Sequence, residues 1–137
     1  MLTRIFAFCI LIWATGCSVP NLETAQCIAA RDAVKRLYSL HMSEDIRPTQ
    51  VSLEARRQFI TSALYNRLNG ADGEVDYFTA TDNYPRAFRV GECQSSGENS
   101  ATLGVLLLWR DDVSTDQKKI SVDVVRPAEA WLINEVR

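Results

Sequence analysis

Histidine is nearly missing from this 137-residue sequence, where His41 stands alone. The four cysteines form no Cys-x-x-Cys pair and no Cys/His cluster, so neither structural zinc nor an iron–sulfur centre is expected. Basic residues are not in excess: Lys and Arg total 15 against 17 Asp and Glu. The electrostatic footprint of a nucleic-acid binder is therefore lacking. Six Gly and four Pro, without tracts, exclude collagen-like and low-complexity classes. The sequence Gly70-Ala-Asp-Gly73 is too short and too acidic for a phosphate loop. No Ser or Cys stands at a motif spacing from His41, which leaves a nucleophilic triad unsupported. What remains is 47% apolar, 23% charged and 9% aromatic, the composition of one compact globular domain.

The longest apolar run lies at the start. Arg4 precedes Ile5-Phe-Ala-Phe-Cys-Ile-Leu-Ile-Trp-Ala14, small residues follow, and nothing acidic stands before Glu23. A positive end, a short apolar stretch and a small-residue exit make the three-part layout of a secretory signal. The alternative is a membrane-spanning anchor. About ten apolar residues rise only about 15 Å as a helix, against a hydrocarbon core of about 30 Å. Export with cleavage is the better reading.

The residues Ala14-Thr-Gly-Cys17 resemble the lipobox of bacterial lipoproteins, with Ala14 where that family usually carries Leu. The resemblance implies cleavage after Gly16, diacylglycerol on the Cys17 thiol, and acylation (palmitate or a similar chain) of the new amine. Two or three acyl chains anchor stably where one binds only reversibly. Ala-x-Gly also suits the ordinary signal peptidase, which would leave the same chain without lipid. Ser18 after the cysteine, in the lipoprotein pattern, implies the outer membrane facing the periplasm where the organism has one. Cleavage removes Arg4 alone among the charged residues, so the mature chain is one unit more acidic than the −2 of the whole. Such a domain has no attraction of its own for anionic lipid. The expected organisation is a signal peptide at 1–16, a lipidated Cys17 and short tether through 22, and one α+β domain at 23–137.

Cys9 leaves with the signal and Cys17 takes the lipid, so Cys27 and Cys93 remain as a pair. Outside the cytoplasm such a pair reads as a disulfide, worth roughly 4 kcal/mol in the chain-entropy model for a loop of this length. Two separate buried thiols are the alternative.

Helices come first along the chain. From Leu22 to Met42, the residues Cys27, Ala30, Val34, Leu37, Tyr38 and His41 recur at helical steps, with Asp32 and Arg36 on the solvated side. Pro48 marks a break. Ser52 reads as the cap of a short helix through Phe59. A further run with Ile60, Leu64 and Leu68 closes at Asn69-Gly70. Residues 71–85 read as an irregular acidic loop. Strand alternation follows: Phe88, Val90 and Glu92; Leu103 to Trp109, apolar on both faces and so expected to be a central strand buried on both; Ile120, Val122 and Val124; then Trp131, Ile133 and Val136. Helices before a run of antiparallel strands predict an α+β fold with helices on one face of a curled sheet.

That order, an Asp- and aromatic-containing loop (Asp76-Tyr-Phe-Thr-Ala-Thr-Asp82), and the closing Ala130-Trp-Leu-Ile-Asn-Glu-Val136 resemble the nuclear-transport-factor-2-like (cystatin-like) cone fold. Within it they resemble an uncharacterised family of small bacterial envelope lipoproteins. The resemblance spans roughly residues 25–137 and implies a pocket between sheet and helices, but brings no activity with it. His41, Asp76, Tyr77, Asp82, Tyr84, Arg89 and Asp123 are the polar residues expected to reach that pocket. Carboxylates there could do acid–base work if burial split their pKa values, yet Asp in a turn-rich loop more often bonds local backbone. Two functions compete. The first is a non-catalytic binding domain, without cofactor, for an envelope protein, a peptidoglycan fragment or a small ligand. The second is a small lyase, isomerase or hydrolase, for instance with a His–Asp dyad. A cone filled by apolar side chains favours the first.

Overall fold

Thr24 starts the first helix, its side chain accepting from the Cys27 amide at 3.2 Å and so satisfying one donor left open at a helix end. Helix α1, Ala25–Ser43, buries Cys27, Ala30, Ala33, Val34, Leu37, Tyr38 and His41, the stripe expected from the sequence with Ala33 added. The computed structural model describes residues 22–44, 47–71, 73–110 and 113–137. The export segment, Cys17 and the tether through Asn21 lie outside the described residues, as do Asp45, Ile46, Asp72, Asp111 and Asp112. Among the described residues, no helix is long and apolar enough to cross a membrane.

Helix α2, Gln50–Arg56, begins before the position that Ser52 suggested. Thr49 is its cap: the Thr49 hydroxyl accepts from the Ser52 amide and the Ser52 hydroxyl accepts from the Thr49 amide, each at 3.1 Å. Serine thus fills the place that Glu or Gln takes in the common capping box. A single 3₁₀ turn, Arg57–Phe59, follows. Ile60 leaves the helical path and bridges Ile133 in parallel, so Thr61 caps helix α3, Ser62–Leu68. Gly70, at φ +79°, turns the chain away as its position after Asn69 predicted.

Four antiparallel strands form a meander in the order β1-β2-β3-β4: Ala87–Gly97, Ser100–Arg110, Thr115–Val125 and Leu132–Val136. The chain is thus α+β, with three helices and a curled four-stranded sheet. The inner face presents Leu103, Val105, Leu107, Val122, Val124 and Ile133, all fully buried in one core with Val34, Leu37 and Tyr38 of α1. Strand β2 is sealed on this face only. Leu106 and Leu108 point the other way and are half-buried instead of buried, because no second layer among the described residues covers them. In the register Leu106 lies between Arg89 and Lys119, whose aliphatic stems can shelter it.

The register of β1 against β2 slips between Val90, opposite Val105, and Cys93, opposite Leu103. Gly91 and Glu92 together therefore face only Gly104, which is a β-bulge. The extra residue reverses the inside–outside alternation. Phe88 and Val90 pack on the core, and beyond the bulge Cys93 does so in place of Glu92, which is exposed. Simple alternation groups Glu92 with Phe88 and Val90; the bulge separates it from them. Cys93 thereby meets α1 and forms a disulfide with Cys27, with Cα atoms 5.8 Å apart and a sequence separation of 66. One helical turn on, Arg31 Nη1 donates to the carbonyls of Val90 at 3.0 Å and Gly91 at 2.5 Å. The same guanidinium pairs with Glu23, which holds the Glu23 carboxyl below its ordinary pKa.

Candidate functional site

Asp76 and Thr81 form an isolated bridge, the Asp76 amide donating to the Thr81 carbonyl at 3.1 Å, and residues 77–80 turn between them. Ala80 takes φ +52° in this turn. The Asp76 side chain folds over its own turn, where Oδ2 accepts from the Thr79 amide at 2.9 Å and the Thr79 hydroxyl at 2.6 Å. The same oxygen lies 2.8 Å from His41 Nε2. On the other side of the ring, Arg56 Nε donates to His41 Nδ1 at 2.6 Å.

These contacts fix the histidine tautomer. A guanidinium can only donate, so Nδ1 is the acceptor and Nε2 carries the hydrogen given to Asp76. The imidazole is then a neutral bridge from carboxylate to guanidinium. His41 and Arg56 are each 1% exposed and Asp76 2%. Charges so deep persist only when paired and hydrogen-bonded, and this chain of bonds meets that requirement. Arg56 also donates to the Ser52 carbonyl. The Tyr38 hydroxyl donates to the Phe78 carbonyl at 2.6 Å. Burial first, and the Asp76 charge second, push the Tyr38 pKa well above its ordinary value.

A cavity of about 620 Å³ lies against this cluster, of the size that small-ligand sites have. Pro48, Leu53, Leu68, Val75, Phe78 and Val136 form its apolar wall. Its polar groups are mostly committed to the fold. Thr49 and Ser52 cap each other, and the Tyr77 hydroxyl accepts from Arg67 at 2.7 Å and from the Val136 amide at 3.2 Å. Asp76 is the exception. All three of its side-chain hydrogen bonds fall on Oδ2.

Of the residues expected at a pocket, His41, Asp76 and Tyr77 meet here. The other four do not line it. Asp82 is exposed, Tyr84 is half-buried outside the cavity, and Arg89 is exposed beside Leu106 on the outer sheet face. Asp123 is also on the outer face, accepting from Thr102 at 2.7 Å and pairing with Arg137 at 2.5 Å. Strand parity explains both misplacements, since Arg89 and Asp123 alternate with the inward-facing residues. The cavity itself is displaced from the expected place between sheet and helices. No residue of β1, β2 or β3 lines it, because their concave face is filled by the core. Arg56 went unrecognised in the sequence; its signal was an arginine three residues after Leu53 on the buried stripe of a short helix. Glu23, Cys27 and Cys93 also converge, with ligand atoms within 4.8 Å, but the thiols are spent in the disulfide and Glu23 is held by Arg31.

These features define a small α+β protein with a long helix across a meander sheet and a polar-floored cavity at the helical end. A solved protein of unknown function from Bacteroides thetaiotaomicron has a similar fold, with a TM-score of 0.52 at 11% sequence identity, over 81% of this chain and 90% of that one. No protein-family model and no curated protein matches the chain. At that identity the likeness speaks for the fold alone.

Proposed function

We propose that the chain is a membrane-anchored envelope lipoprotein whose domain holds a small ligand in the cavity beside His41 and Asp76 without transforming it. The observation that carries the reading is the saturation of His41. A general base needs an open lone pair within reach of its substrate. The one lone pair of this imidazole is covered by Arg56, and its hydrogen is committed to Asp76. The cavity therefore has a shape and an apolar wall, and its only imidazole is locked. The filled concave face of the sheet supports the same side. The lipid anchor rests on Ala14-Thr-Gly-Cys17, and the cone-fold reading is supported by α1 packed across a four-stranded meander. A partner at the same membrane face, protein or peptidoglycan fragment, fits a short tether. The lyase, isomerase or hydrolase reading has one observation in its favour, the Asp76 carboxylate on the cavity wall.

Complementation of a deletion strain tests the proposal. Cys17→Ser removes the lipid acceptor, and Ala71→Trp places an indole in the cavity from an exposed position on its wall. Both variants are expected to lose function while the purified domain keeps its fold. Full function from a folded Ala71→Trp protein would remove the cavity from the account. Full function from unlipidated Cys17→Ser protein would remove the anchor.

A further inference from the structure

Asp76 is asymmetric in a way that the fold does not require. Three donors converge on Oδ2, and none among the described residues reaches Oδ1. No buried side-chain oxygen of the described residues lacks a partner, so Oδ1 is not sealed in protein. It belongs to a residue that is 2% exposed and lines the cavity, and so it opens there. An ionised carboxylate has room for about four hydrogen bonds, and an oxygen left bare in an apolar cavity is costly.

The chemistry of the wall narrows what should satisfy it. Asp76 and Arg56 carry opposite charges and are joined through His41, so the carboxylate already has a charged group within its own network. An ionised ligand would have to leave water for a mostly apolar wall, and an anionic one would also face the carboxylate directly. A neutral donor, hydroxyl or amide N–H, satisfies Oδ1 without burying a further charge. Most of the remaining wall is apolar, and its polar groups in the capping box, at Gln50 and at Tyr77 are hydrogen-bonded within the fold.

We infer that the cavity selects an uncharged amphipathic molecule, an apolar body bearing one hydroxyl or amide N–H, which donates to Asp76 Oδ1. The inference rests on the cavity being a ligand site. Calorimetric titration of the purified domain with three probes tests it: n-octanol, its methyl ether, and n-octylamine at neutral pH. A hydrogen bond to a charged acceptor is worth about tenfold or more in affinity, so octanol should bind at least that much tighter than the ether. The amine should bind more weakly than the alcohol. In Asp76→Asn, whose amide nitrogen can take the Oδ1 position, the alcohol–ether difference should collapse. Equal binding of alcohol and ether, or tightest binding of the amine, would overturn this inference and leave the ligand-site reading standing. Failure of all three probes to bind would overturn both. Should Asp76→Asn not fold, the Asp76 carboxyl carbon resonance of the wild-type domain decides instead: it must shift with octanol and stay put with the ether.

Discussion

Replacing His41 by leucine removes the central link between two buried charges while keeping an apolar group of similar bulk. Arg56 Nε loses its acceptor, and Asp76 Oδ2 falls from three donors to the two of Thr79. Hydrogen bonds to charged groups contribute about 1.5–3 kcal/mol each, and breaking a buried charge network costs about 3–5 kcal/mol in total. Domains of this size are stable by about 5–15 kcal/mol, so the loss is a large share. Glutamine is the informative comparison. Its carbonyl oxygen can accept from Arg56 and its amide nitrogen can donate to Asp76, the same polarity that the histidine tautomer presents. His41→Gln should therefore keep much of what His41→Leu loses. Urea unfolding measures both: with slopes of about 1–3 kcal/mol per molar, His41→Leu should lower the midpoint by about 1 M or more, with an unchanged slope. If leucine and glutamine proved equally stable at this position, the relay from carboxylate to guanidinium would not be what holds these residues together.

Cys27→Ala with Cys93→Ala, or reduction of the wild type, should cost about 4 kcal/mol for a separation of 66, and a loss below about 1 kcal/mol in urea would show that the cross-link constrains little. Tyr38 has a folded-state pKa raised above its ordinary 10.0, so its contribution is complete below that pH and is lost as pH climbs toward the folded value. Above about pH 10, unfolding midpoints should then fall more steeply in the wild type than in Tyr38→Phe; parallel curves would contradict the assignment. Inserting about twenty Gly/Ser residues after Asn21 should abolish function if the proposed tether sets the distance to the membrane, since five or six residues reach about 20 Å at most even when fully extended. Unchanged function after that insertion would point to a diffusible ligand with no need of a nearby partner.

Much of the architecture was legible because burial leaves a period in the chain. The α1 stripe from Cys27 to His41 and the alternation of β2 and β3 are direct records of one-sided packing. Errors arose wherever a local event changes parity or register. At the β1 bulge, Glu92 continues the pattern of Phe88 and Val90 in sequence, and only pairing with β2 reveals that Cys93 takes its place. Thr49 and Ser52 are equally good caps by type, and which one starts the helix depends on reciprocal bonds that residue identity does not show. The candidate site was legible in its loop and helix members, His41, Asp76 and Tyr77. Arg89 and Asp123 were misjudged because a charged residue in a strand gives no sign of which face a cavity occupies. Arg56 was missed because a buried arginine looks like a surface one until its partners are known.

The Cys27–Cys93 bond lies only three residues past the Thr24 cap, at the very root of the domain. Tension entering from the N-terminal side meets a covalent link before it can peel even the first turn of α1. Arg31, one turn further in, adds a second rivet to the same spot on β1. The load is thereby passed to an 11-residue strand laddered to β2, and does not travel along the helix toward His41. If the domain hangs from its N-terminal end, as proposed, this arrangement would send a pull at the root into the sheet before it reached the cavity beside His41.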